Sequence, residues 1–414
     1  MDATGIPPLG EQPHYNNPIQ KPVRRRFTRR RVRLAVGSAA LVIVLAVGGV
    51  VGYGYYEGRV ATDKFNALAL QIKNQEMAVA RRNAQATVLV SGISAAIAAG
   101  DSASGATLNA RAGSMSDLAN QSCSAAKNTV TPAAIDQQMK GLRLDATQQR
   151  YVSDIKQVLL VSKDSSYNDA TLCRDGMLMA AIARNFAFLN PGLRTLTGLS
   201  DTPTASQMDS LKTYATSTAL VDQASLQAST PKTAAFFSDA QQLLSGTYKM
   251  FAAINTGDLA GAGQYITKVT SLGTQIDSDT AAMNTEVSNL GKRESVAAIK
   301  ASQLEIAAID YQRSHKVADA SMQLDYSLPA FRIADATIGN YTDAHSGSYP
   351  YGSSAADLVS ASPTDMKALQ SRGLLKTMSY QSLGSDQSGF SLRVTLSDGS
   401  SLSEKFDPHT VQSA

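Results

Sequence analysis

The sequence lacks tryptophan and has few cysteines and little charge, because Asp, Glu, Lys and Arg together make up 17% of its 414 residues. Its two cysteines and four scattered histidines match no zinc-ligand spacing, so we expect no metal site. The sequence also lacks a Walker loop and the G-x-S-x-G, H-E-x-x-H and Cys-x-x-Cys motifs. These absences argue against an enzyme, and we predict no catalytic residues and no cofactor.

Positive charge is concentrated near the N-terminus, where seven arginines stand between Arg24 and Arg33. Residues 1 to 33 carry a net charge of +6, whereas the whole chain carries +4. The rest of the chain is therefore nearly neutral, at about −2, which argues against a nucleic-acid partner. Residues 1 to 33 also hold five of the 13 prolines, so they are predicted to be a disordered basic cytoplasmic tail.

A run of 23 uncharged residues, 34 to 56, follows the arginines and ends at Glu57. Since about 20 apolar residues cross the hydrocarbon core, the run predicts a transmembrane signal-anchor helix in the lipid bilayer. The preceding arginines predict a single-pass plasma-membrane protein with a cytoplasmic N-terminus and an extracytoplasmic bulk. A cleaved signal peptide is the alternative, but the basic region and the apolar core are both too long for one. Gly48 and Gly52 form a G-x-x-x-G pattern that would allow a homo-oligomer, although Gly is common in such spans.

Beyond the span, apolar residues recur every seven positions in two long segments, as in helices of bundles and coiled coils. A coiled-coil dimer needs a second apolar row along the same helix. In the first segment, Gln75 and Arg82 interrupt that second row, the alternate seam, which favours an intramolecular bundle over a coiled-coil dimer. The recurring residues are Phe65, Ile72, Val79, Ala86 and Ile93 in the first segment, and Val269, Ile276, Met283, Leu290, Ala297, Leu304 and Tyr311 in the second.

Capping signals predict shorter helices between these two segments. Thr and Asp side chains cap helix N-termini, and Pro is favoured at the first helical position. We expect helix starts at Thr131 with Pro132, at Asp145, at Pro203 and at Pro231. Residues 57 to 316 are therefore predicted to form an elongated, extracytoplasmic antiparallel helical bundle.

The two cysteines, Cys123 and Cys173, both follow the predicted span, in the compartment where disulfides persist. We predict a disulfide between them, with two free buried thiols as the alternative. Such a bond closes a loop of about 50 residues and would stabilise the fold by about 4 kcal/mol in the chain-entropy description.

The pattern changes to strand alternation near the C-terminus, where residues 317 to 414 are predicted to form a small α+β domain. Asp398 and Gly399 indicate a hairpin turn, and the alternation predicts a three-stranded antiparallel meander covered by the preceding helix. Pro329 should kink or start that helix. The alternating apolar residues are Tyr380, Leu383, Phe390, Leu392, Val394 and Leu396.

The segment RIADATIGNYTDAHSGSYPYGSSAADL resembles the region of type IV pilins and type II secretion pseudopilins where a long helix ends in a Gly-x-Tyr-Pro loop. Gly347, Tyr349 and Pro350 match that loop, and Leu358 matches a following apolar anchor. The resemblance covers about 95 of 414 residues and implies a pilin-like head. The processing site of pilins has no match here, since cutting after Gly37 would place Val42 where pilins have Glu. The resemblance therefore implies a head on a membrane-fixed stalk.

These features predict a bacterial cell-envelope structural or interaction protein that displays a pilin-like head and associates with a type IV pilus, a secretion system or other envelope proteins. Exposed head loops are where partners usually bind, so Tyr349, Pro350, Tyr351 and the turn at residues 384 to 388 are predicted to contact a partner. The alternative is an extracytoplasmic ligand-sensing helical bundle that signals through a membrane partner.

Overall fold

The computed structural model describes residues 29–99, 104–165, 168–217, 219–345 and 347–407, with the side chains of residues 29–57, 98–99, 104, 284 and 287–295 left outside that description. The described chain is mainly helical and carries one small antiparallel sheet, as the sequence predicts. Its α-helices are α1 (Arg29–Ala99), α2 (Ser104–Ala126), α3 (Pro132–Met139), α4 (Ala146–Ser162), α5 (Asp169–Thr197), α6 (Ala205–Thr216), α7 (Gln223–Ser229), α8 (Pro231–Asn255), α9 (Leu259–Ser314), α10 (Ser327–Ala344), α11 (Leu358–Ala361) and α12 (Pro363–Ser371). Its strands are β1 (Met378–Leu383), β2 (Gly389–Thr395) and β3 (Ser401–Phe406).

The chain divides into two compact units, Met1–Arg59 and Val60–Ala414. The described helices include none that combines the length and the apolar character needed to cross a bilayer. The predicted cytoplasmic tail lies largely outside the described residues, and the side chains of the predicted span, with Gly48 and Gly52, lie outside them too. The signal anchor, the membrane topology and the helix pairing therefore stay predictions.

The seven-residue repeat predicted for α1 is confirmed, because all five of its residues from Phe65 to Ile93 are buried. The residues that break the alternate seam have polar partners. Gln75 accepts a hydrogen bond from the Val130 backbone N–H at 2.8 Å. Arg82 pairs through two 2.7 Å contacts with Asp169, whose side chain is buried at the start of α5.

The 56-residue helix α9 confirms the second predicted segment, but its buried face drifts along the helix. Met283 is buried as expected, whereas the buried residues nearer the C-terminus include Ala298, Glu305 and Gln312. Each of these follows a predicted seam residue by one position. A straight α-helix drifts by about 20° per heptad against a strict seven-residue repeat, which accounts for the shift. Leu290 lies outside the described side chains.

Three of the four predicted helix starts are confirmed. Thr131 caps α3 by accepting a hydrogen bond from the Ala134 N–H, and Asp145 forms a capping box with Gln148. Pro231 is the first residue of α8. The fourth prediction, a start at Pro203, is wrong by two residues. Helix α6 begins at Ala205 because Thr204, rather than the residue before the proline, forms the capping box.

The predicted disulfide is present and joins α2 to α5 through Cys123 and Cys173. Their Cα atoms lie 4.8 Å apart, within the range that disulfides span. The two helices approach closely beside the bond, since a Cβ added to Gly176 would lie 3.0 Å from the Cβ of Ala119. The disulfide therefore links two helices that already pack along a face of small residues.

The three strands form the predicted meander, in the order β1-β2-β3 with antiparallel pairing throughout. The β2–β3 turn contains Gly399 with φ +82°, a conformation that suits glycine. Helix α10 covers the inner face of the sheet, where Phe331 packs in one cluster with Phe390 and Leu392. Pro329 is the third residue of α10, so it starts this helix instead of kinking it.

The core under the sheet continues into the helical bundle. Ala80 and Ala84 of α1 and Ile306 of α9 belong to the same buried cluster as the head residues. The predicted domain boundary at residues 316 and 317 thus falls inside the compact unit Val60–Ala414. The head, defined here as residues 317 to 407, shares its core with the bundle helices.

Candidate functional site

The loop between α10 and the 3-10 helix Ala355–Asp357 is fixed along the edge of β1 by backbone hydrogen bonds. The Tyr349 N–H donates to the Gln387 carbonyl at 3.0 Å, and the Ser382 N–H donates to the Gly352 carbonyl at 2.8 Å. The hydroxyl of Tyr380 donates to the Pro350 carbonyl at 2.5 Å. The loop therefore has a defined conformation that ties the α10 end, β1 and the β1–β2 turn together.

The three residues predicted to bind a partner lie together in this loop, but they differ in exposure. Tyr349 is buried, with its ring centroid 4.8 Å from that of Phe390 and its hydroxyl donating to Ser91 of α1 at 3.1 Å. Pro350 is also buried, whereas Tyr351 is 78% exposed. Of the three, Tyr351 alone presents a largely exposed side chain, and the partner-binding role stays a prediction.

A pair of carboxyl groups, buried Glu404 and half-buried Asp335, lies near Tyr349 on the inner side of the sheet. Glu404 points inward from β3 and has no exposed surface, and its carboxyl group is hydrogen-bonded to that of Asp335 on α10. Burial, together with the charge of Asp335 on α10, raises the pKa of Glu404 well above its ordinary value. Burial also raises the pKa of Tyr349. Glu404 therefore holds a proton at pH values where an exposed glutamate is ionised.

A buried cluster of charges, Glu76, Glu305 and Arg332, joins the head to the bundle. Arg332 of α10 donates from Nη1 to Glu305 of α9 at 2.5 Å and from Nη2 to Glu76 of α1. Arg332 is 3% exposed and Glu305 is 1% exposed. A buried charge is stable only when it is paired, and the pairing of this guanidinium connects α10 to its neighbour α9 and to α1, which is distant in sequence.

The charges in this cluster do not balance, because two carboxyl groups face one guanidinium. Burial raises the pKa of Glu305 to about 7, an effect that Arg332 opposes and Glu76 reinforces. The Tyr151 hydroxyl is buried nearby, and burial with the charges of Glu305 and Glu76 raises its pKa. The cluster therefore changes its protonation state near neutral pH, and Glu305 is the group that takes the proton.

No group of three or more His, Cys, Asp or Glu side chains that could hold a metal occurs in the part of the chain that the structure describes. The predictions of no metal, no cofactor and no enzymatic activity stay predictions. Comparisons with protein-family models, curated proteins and solved structures found no match to this chain. The resemblance to pilin heads therefore stays a prediction that depends on the residues of the loop and the order of the elements around it.

Sequence reasoning missed Glu76, Glu305 and Arg332, although one of them left a signal. Arg332 interrupts an otherwise apolar stretch, LPAFRIA, and a cation on the buried face of a helix requires a partner. Glu305 was hidden because it lies one position after the predicted seam residue Leu304. A charged residue inside an apolar helix face is thus the feature that could have indicated this cluster.

Replacing each of the two loop tyrosines with Ala should affect stability to very different extents. Tyr349→Ala removes a buried ring and the hydrogen bond to Ser91, so we expect the free energy of unfolding to fall by about 3 to 5 kcal/mol. Tyr351→Ala should change it by less than about 0.5 kcal/mol, because the side chain is exposed. Urea unfolding of the full chain in lipid nanodiscs measures both. Equal losses in the two variants would contradict the assignment of Tyr349 to the core and Tyr351 to the surface.

Glu305→Gln should remove a pH dependence of stability. Because the pKa of Glu305 is raised in the folded protein, Glu305 makes its full contribution to the free energy of unfolding below about pH 4.5, where it is protonated in both the folded and the unfolded chain. As pH rises from about 4.5 to 7, the unfolded chain loses this proton while the folded chain keeps it, so stability falls by about 3 kcal/mol. Above that range both states are ionised and the loss is complete.

The measurement is the free energy of unfolding of the wild type minus that of Glu305→Gln, taken between pH 4 and about pH 8. The control is Asp201→Asn, which removes an exposed acid. We expect the difference to fall with rising pH for Glu305→Gln and to stay flat for the control. A flat difference for Glu305→Gln would show that Glu305 is not protonated near neutral pH.

Proposed function

We propose that this protein is a membrane-anchored cell-envelope interaction protein that displays a pilin-like head on a helical bundle and acts with a type IV pilus or secretion apparatus. The central observation in its support is the construction of the head. The helix α10 is followed by a Gly-x-Tyr-Pro loop, then by the short helices α11 and α12, and then by an antiparallel meander that packs on α10. The helix, the loop and the sheet follow one another in the order that the sequence resemblance implies.

The disulfide supports an extracytoplasmic location for the bundle. Cys123 and Cys173 both follow the predicted signal anchor, and structural disulfides persist in oxidising compartments outside the cytoplasm. The basic run of residues 24 to 33 precedes the apolar span, which also supports an outer location for the compact unit Val60–Ala414.

The loop that carries Tyr351 supports an interaction role for the head. Its backbone is held by the hydrogen bonds to β1 and to the β1–β2 turn, so little conformational freedom remains to be lost on binding. Tyr is enriched among the residues that dominate binding energies, because it offers a large rigid ring with a polar end. Tyr351 is therefore our candidate for the residue that contacts the partner.

A photo-crosslinking amino acid placed at Tyr351 should form an adduct with a pilus or secretion subunit in cells of the native host. The same amino acid at Leu160 on α4 is the control, since Leu160 is 51% exposed but lies in the bundle. After mechanical shearing, the protein should remain with the washed membranes because its anchor is not processed.

Two results would contradict the proposal. Adducts of the same size from positions 351 and 160 would show that the head loop has no special contact. Recovery of the protein in the sheared filaments would show that it is a filament subunit and not a membrane-fixed display protein.

A further inference from the structure

A cleft of about 350 Å³ lies where α1, α2 and the end of β3 meet. Its apolar walls come from Val88 and Leu89 of α1 and from Phe406 of β3. Its polar groups are Arg111 of α2 together with Lys405 and Asp407. This volume lies in the lower part of the range found for small-molecule sites, which combine apolar walls with a few polar groups.

Arg111 is the polar group that needs an explanation. Its side chain is half-buried, burial lowers its pKa, and within the described part of the chain it forms no hydrogen bond or ion pair. The guanidinium lies directly over Gly92 of α1, since an added Cβ there would be 2.5 Å from Nη1. A half-buried guanidinium has five donors and no acceptor, so its donors suit an anion.

The charges of the cleft favour an anion with about one negative charge. Lys405 lies 4.0 Å from Asp407, and its side chain is 60% exposed. With two cations and one carboxylate, the lining has a net charge of +1. The apolar walls favour an anion that carries a hydrocarbon part, and a dianion such as a phosphate ester would exceed the available charge.

We propose that this cleft binds small organic monocarboxylates, whose carboxylate pairs with Arg111 and whose hydrocarbon part contacts Leu89 and Phe406. The ligand would touch two bundle helices and the last strand of the head at the same time. Because a ligand that binds only the folded state stabilises it, a monocarboxylate would strengthen the junction between head and bundle. The inference stands apart from the proposed function, since it depends only on the cleft.

Isothermal titration calorimetry of the full chain in lipid nanodiscs tests this inference with sodium hexanoate and sodium phenylacetate as probes. Saturable binding of at least one probe is expected from the wild type. Arg111→Gln should weaken it by about tenfold or more, because a charge-assisted hydrogen bond is lost. The matched control Arg81→Gln removes the same charge from an exposed position of α1 and should leave binding unchanged. The uncharged hexanamide should bind at least about tenfold more weakly than hexanoate.

Gly92→Ala is a second variant that keeps the charge of the cleft. The added methyl group would collide with the end of the flexible Arg111 side chain, so the guanidinium must move and probe binding should weaken. If Arg111→Gln does not fold, probe binding by Gly92→Ala tests whether the position of the guanidinium determines binding.

Three outcomes would overturn the inference. The first is that the wild type binds neither carboxylate, and the second is that Arg111→Gln or Gly92→Ala binds as tightly as the wild type. The third is tighter binding of inorganic phosphate than of either carboxylate, which would assign the cleft to a different class of anion.

Discussion

Arg332 enters the protein interior on α10, and the fold must supply acceptors for its guanidinium there. Glu305 from α9 and Glu76 from α1 supply them, and the residues in contact are 27 and 256 positions away along the chain. An unpaired guanidinium at this depth would destabilise the fold by several kcal/mol, so α10 packs where these acidic side chains accept its hydrogen bonds. This requirement fixes the position of α10 on the bundle, and the sheet is built on α10.

The head and the bundle therefore depend on one another. Their apolar cores are continuous through Ala80, Ala84 and Ile306, and the Tyr349 hydroxyl adds a hydrogen bond from the head loop to Ser91. A loop held in this way presents Tyr351 from a rigid support instead of a flexible tether. The same junction forms the cleft at Arg111, because the end of β3 comes to lie beside α1 and α2.

Much of this fold could be predicted from local patterns in the sequence. The α1 repeat, the caps at Thr131 and Asp145 and the turn at Gly399 each depend on residues close together in the chain, and each is confirmed. The disulfide was predictable because the chain offers one cysteine pair. The buried face of α9 was predicted incorrectly near the C-terminal end of the helix, because a strict seven-residue repeat ignores the drift of a straight helix.

The candidate sites could be predicted only in part. The loop residues Tyr349 to Tyr351 were identified, but burial of Tyr349 depends on Ser91, which is 258 residues away. The pairing of Arg332 with Glu76 and the placement of Arg111 beside Phe406 depend on long-range packing in the same way. Sequence patterns indicate which side chains need partners, whereas only the folded chain determines which partners they have.

The most direct test of whether the head and the bundle depend on one another is native-state hydrogen exchange of the full chain in lipid nanodiscs. Amides of β2 in the head and of residues 68 to 84 in α1 should exchange through openings of the same free energy, since both belong to one cooperative unit. Exchange of the β2 amides through a lower-energy opening, with those of α1 still protected, would contradict this account. It would show that the head unfolds separately and that the buried Arg332 cluster does not join it to the bundle.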